Sequence, residues 1–416
     1  MRKLNTYILL LLSLTVFSQK QISLEECYQL LNKNFPLAKQ SVLLETQNAL
    51  DLETIKTRKL PEINLSAQAT YQSDVIKIPI PNAGIESLNK DQYRATISVN
   101  QLIYGGGIID AALNAKSAAL KTQQKQIEVS LYQLKKQVNQ LYFSVLLTQD
   151  KRGLLNEQYK LLNAKLKEVK SGIKNGVLIP TSDKILQAEL LKVKQQFLEV
   201  DLNKTALIKT LSSLIGKEIE TTSKFETQLV STKSNTEISR PELELFQLKK
   251  EQIEASETIV SKENSPKLIG FANGGYGNPG LNMLDNSFQS FYTVGVKLNW
   301  NVFDWNATKK KRKSLSITKD IINTEAEIFA LNTNIELNQQ QSEIQKLEGF
   351  ITSDLEIIQL RKEVLKSAES QLKNGIITSS SYITELTNLY EDETMLSTHK
   401  IQLLLAKANY NTTKGN

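Results

Sequence analysis

The chain has one cysteine and one histidine in 416 residues, and each scarcity closes off a chemistry. A single thiol, Cys27, excludes a disulfide framework within the chain, and it lies too far past the apparent leader to be a lipidated first residue. A half-buried helical thiol is expected there. One imidazole, His399, rules out histidine-based metal clusters and leaves triad chemistry a single base with no nucleophile motif around it. It is expected to be a polar side chain on a helix surface. No nucleotide-binding loop or metal-ligand spacing appears either, so the reading is of a protein that is not an enzyme, with no cofactor and no metal. Long hydrophobic runs are also missing. No segment past residue 18 approaches the roughly 18 uninterrupted apolar residues of a transmembrane helix, so any membrane crossing must use strands.

What is present begins with a leader. Arg2 and Lys3, the apolar stretch 7–12 and Val16-Phe17-Ser18 have the layout of a secretory signal peptide over residues 1–18, with Gln19 opening the mature chain. The net charge is +7. It is spread along helices without aromatic interleaving, which argues against nucleic acid as a partner. The basic run Lys309, Lys310, Lys311, Arg312, Lys313 fits two roles equally, contact with anionic lipid headgroups or a solvated helix start.

Self-similarity organises the rest. Lys174-Asn175-Gly176 recurs as Lys373-Asn374-Gly375, an offset of 199, and the same offset carries Tyr93 to Tyr292, Val99-Asn100 to Leu298-Asn299 and Ile103-Tyr104 to Val302-Phe303. Upstream the offset is 205, taking Pro36 to Pro241, Pro61 to Pro266 and Tyr71 to Tyr276. The change of offset falls in a loop, where length differences are tolerated. The expected organisation is a first structural repeat over 19–220, a polar connector over 221–239 and a second repeat over 240–416. Each repeat reads as helix, strand, loop, strand, very long helix, tip and helix. Ser23 with Glu26 forms a capping box for the first helix, and Gly216 is a helix stop.

Between positions 108 and 171 there is no proline and one glycine, Gly153. Apolar residues recur there in steps of four and three, through Ile127, Leu131, Leu134, Val138, Leu141 and Val145, then Leu155, Tyr159, Leu162, Leu166, Val169 and Ile173. This is a heptad seam. The second copy repeats it with Leu337, Ile344, Ile351, Ile358, Leu365 and Leu372, and the return helix of the first copy with Leu186, Leu190, Val193 and Phe197. An unbroken helix over about 106–171 would be on the order of 100 Å long, so it needs neighbours. A secreted coiled coil would satisfy this pattern alone.

The strands alternate. Ile63, Leu65, Ala67, Ala69 and Tyr71 oppose Asn64, Ser66, Gln68 and Thr70; Tyr93, Ala95, Ile97 and Val99 oppose Arg94, Thr96, Ser98 and Asn100; Tyr292, Val294, Val296, Leu298, Trp300 and Val302 oppose polar or small residues. A fourth strand, over 267–276, is glycine-rich and assigned by repeat symmetry. An apolar face against a polar one over roughly 9 to 11 residues is the pattern of a transmembrane β-strand, although a soluble sandwich with one wet face shares it. Tyr71, Tyr93, Tyr276 and Tyr292 lie near the loop ends and Tyr104, Trp300, Phe303 and Trp305 near the helix ends, as two aromatic girdles would. Four strands cannot close a barrel, and open edges are not tolerated in hydrocarbon, so identical chains must share one barrel.

The residues together resemble the TolC-like outer-membrane efflux protein family, the outer-membrane factors of tripartite efflux and type I secretion systems. The carrying motifs are Ser23-Leu24-Glu25-Glu26, Asn34-Phe35-Pro36-Leu37 with Arg240-Pro241-Glu242-Leu243, Leu60-Pro61, Gln101-Leu102-Ile103-Tyr104-Gly105-Gly106-Gly107, and Asn175-Gly176-Val177-Leu178 before Ser182-Asp183. The resemblance implies a mainly α fold with a membrane β-barrel: a homotrimer with a twelve-stranded barrel in the outer membrane and an α-helical tunnel through the periplasm. It also implies a passive exit duct that docks a periplasmic adaptor, itself coupled to an inner-membrane pump, at tips formed by Gly176, Val177 and Leu178 and by Gly375, Ile376 and Ile377. Relatives ring their periplasmic entrance with aspartates after the second tip, whereas this sequence has Thr378-Ser379-Ser380-Ser381-Tyr382-Ile383-Thr384-Glu385. Asp183, Ser381, Thr384 and Glu385 are the residues expected to line that entrance, with weak charge selection. The competing class is a secreted coiled-coil scaffold or the periplasmic adaptor itself.

Overall fold

A computed structural model describes residues 21–76, 86–227, 230–231 and 237–415; the leader expected over residues 1–18 lies outside them. The first half of the chain forms α1 (Leu24–Asn34), α2 (Ala38–Thr57), β1 (Glu62–Tyr71), β2 (Asp91–Tyr104), α3 (Ile108–Gln133), α4 (Lys135–Lys174) and α5 (Ser182–Ile215). The second forms α6 (Pro241–Glu263), β3 (Lys267–Asn278), β4 (Gln289–Asn299), α7 (Ala307–Lys373) and α8 (Ser379–Lys414). The offsets reappear in these bounds. β3 starts 205 positions after β1, and α7 starts and ends 199 positions after the start of α3 and the end of α4.

The unbroken first long helix expected from the heptad seam is in fact two helices. Leu134 keeps right-handed backbone, φ −70° and ψ −16°, but its N–H bonds Leu131 O at 3.1 Å, three residues back, so the ladder tightens for one turn. A seam pattern records which faces are apolar and is blind to such a local change of winding.

One compact unit gathers α1 with residues 127–241 and 328–415. Within it α4 packs against α5 and α8, and α1 packs against α4 and α5. Ser23 caps α1 by accepting the Glu26 N–H at 3.1 Å, while the Glu26 carboxylate accepts from Lys217 Nζ at 3.0 Å. One core joins Cys27 and Leu31 of α1 to Val138, Tyr142 and Leu146 of α4 and to Ile208, Leu211 and Ile215 of α5. Cys27 is fully enclosed, not half-buried as expected, because α1 turns this side into the core; burial pushes its thiol up to about 12. The Tyr142 hydroxyl lies 2.9 Å from Ile22 O and 2.8 Å from Glu226 O, pinning the chain on both sides of the single bridge between Ile22 and Phe225.

A second core joins Leu155, Leu162, Leu166 and Val169 of α4, Leu186, Leu190 and Val193 of α5, Ala368 and Leu372 of α7, and Tyr382, Ile383 and Leu386 of α8. The α4 and α5 members are seam residues of the sequence pattern. His399, expected on a polar surface, is instead mostly covered: its Nδ1 is 2.6 Å from Asp354 Oδ2 and its ring centroid 5.1 Å from that of Phe350.

The other unit gathers residues 40–126 and 242–327. Its sheet is antiparallel with order β1-β2-β3-β4. One glycine on each of β3 and β4 has a packing reason. Phe271 sits opposite Gly295 and Phe291 opposite Gly275, and a Cβ on Gly295 would lie 2.8 Å from the Phe271 ring. Each glycine makes room for a cross-strand ring. β4 ends at Asn299, so Trp300 and Val302, expected within the strand, lie beyond it and remain exposed.

Candidate functional site

Three regions carry the residues singled out by sequence: the helix tips, the polar turn after each tip, and one face of the sheet. At the first tip Gly176 takes φ +72°, its N–H bonds Ile173 O at 3.1 Å, and the Val177 N–H bonds Gly172 O at 2.9 Å. At the second, Gly375 takes φ +71°, its N–H bonds Leu372 O at 3.0 Å, and the Ile376 N–H bonds Gln371 O at 2.8 Å. These are the paired bonds of a Schellman motif, twice. Left-handed backbone is why glycine stands at both places. The tips adjoin, since a Cβ on Gly375 would be 3.4 Å from Val177 O. Val177 and Ile376 are exposed, whereas Leu178 and Ile377 fold back onto the second core. The six tip residues therefore divide into a backbone pair, an outward pair and an inward pair.

After the tips, Asp183 lies in the first turn of α5 and accepts from Gln187 Nε2 at 2.9 Å. Thr378 caps α8 by accepting the Ser381 N–H at 3.2 Å, Ser381 is exposed, and the Thr384 hydroxyl donates to Ser380 O at 3.1 Å. Glu385 is not a free charge. Arg361 of α7 approaches its carboxylate at 3.7 Å and that of Asp392 at 3.0 Å. Close by, Lys165 is buried with its ammonium 2.7 Å from both Glu168 and Glu369 and 5.3 Å from the Tyr382 ring centroid. Sequence reasoning missed Arg361 and Lys165: the partners of Arg361 stand on α8, and although Glu168 follows Lys165 by one turn of α4, Glu369 comes from α7, so no spacing within one segment marks either cluster.

On the sheet, registers set Leu65 opposite Ile97, Ile97 opposite Gly274 and Gly274 opposite Tyr292. One face thereby collects Ile63, Leu65, Ala67 and Ala69 with Tyr93, Ala95, Ile97, Ala272, Tyr292 and Val294, and its large members are exposed. All eight aromatic residues of the two expected girdles are exposed. Tyr93 and Tyr276 each stack with Phe288, at 6.2 and 5.6 Å, and Phe303 meets Trp305 edge-on at 4.8 Å. The opposite face holds Ser66, Thr96, Ser98, Asn273 and Thr293, with Arg94 over the Phe291 ring at 5.4 Å.

Among the described residues no helix is long and apolar enough to cross a membrane, and no group of three or more His, Cys, Asp or Glu side chains is arranged to hold a metal ion.

Residues 28–217 match the family model described as outer membrane efflux protein. No curated protein matches the chain by sequence. Among solved structures, CusC, described in terms of transmembrane channel formation, aligns with a TM-score of 0.68 at 11% identity, covering 94% of this chain and 92% of CusC. The CmeC outer-membrane channel of Campylobacter jejuni aligns at 0.64 with 16% identity over 94% of this chain and 85% of its own. The MtrE outer-membrane channel of Neisseria gonorrhoeae aligns at 0.64 with 13% identity over 94% and 89%. The family model thus covers the first repeat, and the fold of these outer-membrane channels extends along nearly the whole chain.

Proposed function

We propose that this chain is one protomer of a homotrimeric exit duct in the outer membrane that passively conducts solutes delivered by a periplasmic adaptor and an inner-membrane pump. The observation that carries the reading is an apolar, exposed face on a sheet whose outer strands, β1 and β4, each have one neighbour. In lipid every backbone group of those edges must find a partner, and a ring of copies supplies it by pairing β4 of one with β1 of the next. The family likeness favours three copies and twelve strands. Residues 1–18 direct export as a signal peptide, and repeats 19–220 and 240–416, joined by the connector 221–239, each contribute half of a protomer's strands.

On this reading the exposed Val177 and Ile376 present apolar contacts to the adaptor, with Gly176 and Gly375 letting its backbone come near, while Leu178 and Ile377 hold the tips in shape. Asp183, Ser381, Thr384 and Glu385 line the entrance. Its charge selection is weak because Arg361 offsets Glu385. The eight aromatics form the two interfacial girdles.

The test is extraction and conductance of the full chain. The protein should resist a carbonate wash of membranes, leave detergent as a trimer and open ion-conducting pores in planar bilayers. Release by carbonate as a soluble chain would favour a coiled-coil scaffold or adaptor and end the proposal.

A further inference from the structure

The turn from β2 into α3 and the turn from β4 into α7 are built alike. Ile108 N–H bonds Gly105 O at 3.2 Å and Ala111 N–H bonds Gly107 O at 3.0 Å; 199 positions later Ala307 N–H bonds Asp304 O at 2.9 Å and Lys310 N–H bonds Asn306 O at 3.0 Å. Both turns place two successive residues in left-handed backbone. In the first copy these are Gly106 and Gly107, at φ +64° and +82°. In the second they are Trp305 and Asn306, at φ +54° and +61°, the only non-glycine residues with positive φ among those described. Asparagine adopts this conformation readily, but a tryptophan does not, and glycine would relieve it.

Among the described residues nothing but the neighbouring Phe303 ring packs on the tryptophan at this position. Trp305 is 80% exposed, and the ring beside it, Phe303, is 65% exposed. The first copy could not accept the same residue, because a Cβ on Gly106 would lie 2.2 Å from Ser265 Cβ. The second copy thus holds a large amphipathic ring in solvent on strained backbone.

A second unfavourable feature follows within one turn. Lys309, Lys310, Lys311, Arg312 and Lys313 crowd the start of α7, whose first turn has no acidic residue, so five cations oppose the helix dipole. Lys311 and Arg312 are answered by Glu263 at 2.7 Å and Glu257 at 3.0 Å. Lys309, Lys310 and Lys313 are exposed, and at about 100° per residue they share an arc of about 100° on the side away from that pair. The one carboxylate of this turn, Asp304, is taken up by the Thr308 N–H at 2.8 Å and Asn264 Nδ2 at 2.6 Å.

We infer that Trp305 and Phe303, with Lys309, Lys310 and Lys313, form an anchoring site for anionic phospholipid headgroups of the inner leaflet. The inference rests on the membrane-barrel reading above and adds the lipid class and the residues. The rings continue the apolar sheet face to headgroup depth, where tryptophan is favoured, and the three ammonium groups stand just beyond, where they meet lipid phosphate.

The test uses the full chain reconstituted in vesicles of phosphatidylcholine alone or with added phosphatidylglycerol, and reads the thermal unfolding midpoint. Phosphatidylglycerol should raise the midpoint of the unaltered protein, and high salt should cancel the rise. The triple variant Lys309→Gln, Lys310→Gln, Lys313→Gln should lose most of the rise, while arginine at the same three positions keeps it. Trp305→Gly should raise the midpoint in detergent, because strain is removed, yet shrink the rise given by the anionic lipid. An undiminished rise in the glutamine variant, or no rise in the unaltered protein, overturns the inference. Failure to enter phosphatidylcholine vesicles at all would instead sink the barrel reading.

Discussion

Lys165 of α4 and Glu369 of α7 meet at 2.7 Å near the tips, with the lysine side chain only 4% exposed and the glutamate 53% exposed. Burial alone would lower the ammonium's pKa, but hydrogen bonds to Glu168 and Glu369 outweigh it and hold the group above its ordinary value. A raised folded pKa means that the stabilisation is complete below the unfolded value, about 10.4, and is lost as pH climbs through the folded one. Thermal stability of the helical unit should therefore not depend on this group near neutrality and should fall above about pH 10.5. Lys165→Met removes the bridge and leaves two carboxylates facing each other, at a cost of about 1–2 kcal/mol after screening of the exposed partners. Denaturant titration checks this, and adding Glu369→Gln should cost less than the two single changes together.

Cys27 should be chemically silent in the folded protein. Its thiol is enclosed and its pKa pushed up to about 12 by burial, with Glu26 adding to the effect. Thiolate is the reactive form, so labelling at pH 8 needs both exposure and deprotonation. A maleimide should leave Cys27 unmodified in native protein and modify it fully in guanidinium. Rapid labelling without unfolding would mean that α1 leaves its core.

The sequence made the duplicated parts legible because they are set by local rules. The two Lys-Asn-Gly tips became two Schellman turns, since glycine after a helix is a nearest-neighbour signal. Leu155, Leu162 and Leu166 were readable as core because the heptad period follows from helix geometry alone. The break at Leu134 was not, since both of its neighbouring helices keep the same apolar phase. β3 was ambiguous for another reason: its Gly275 accommodates the Phe291 ring of the neighbouring strand, a relationship that exists only once the register is known.

The residues proposed for the entrance divide in the same way. The Thr378 cap on α8, which accepts the Ser381 N–H, follows the local N-cap rule. The neutralisation of Glu385 by Arg361 depends on a helix pair 24 positions apart in sequence, which no local pattern encodes. The left-handed pair Trp305 and Asn306 was visible only as a departure from the glycines of the first copy.

The β3 packing gives a sharp mutational contrast. A Cβ on Gly275 would lie 2.4 Å from Phe291 Cζ and 2.5 Å from Ala95 O, and the second of these is backbone that cannot swing away. A Cβ on Gly274 meets only Phe291 O, at 3.9 Å. Gly275→Ala should cost about 1–3 kcal/mol and reduce the yield of folded oligomer, while Gly274→Ala should be tolerated. Oligomer that survives mild heating on a gel distinguishes them, and equal behaviour would contradict the register.

Arg361 sets up the last expectation. Its guanidinium contacts Asp392 at 3.0 Å and Glu385 at 3.7 Å, so one cation offsets two carboxylates beside the turn proposed as the entrance. Arg361→Ala would release both negative charges without filling any space, and field lines focused by the low-dielectric wall would draw cations in. Reconstituted channels of the unaltered protein should discriminate weakly between potassium and chloride and resist block by millimolar hexamminecobalt. The variant should favour potassium by at least about twofold more and become sensitive to the trivalent ion. Adding Glu385→Gln should remove part of that gain. If the unaltered channel is already blocked, with block abolished by Asp183→Asn, then Asp183 and not Arg361 governs the charge at the entrance.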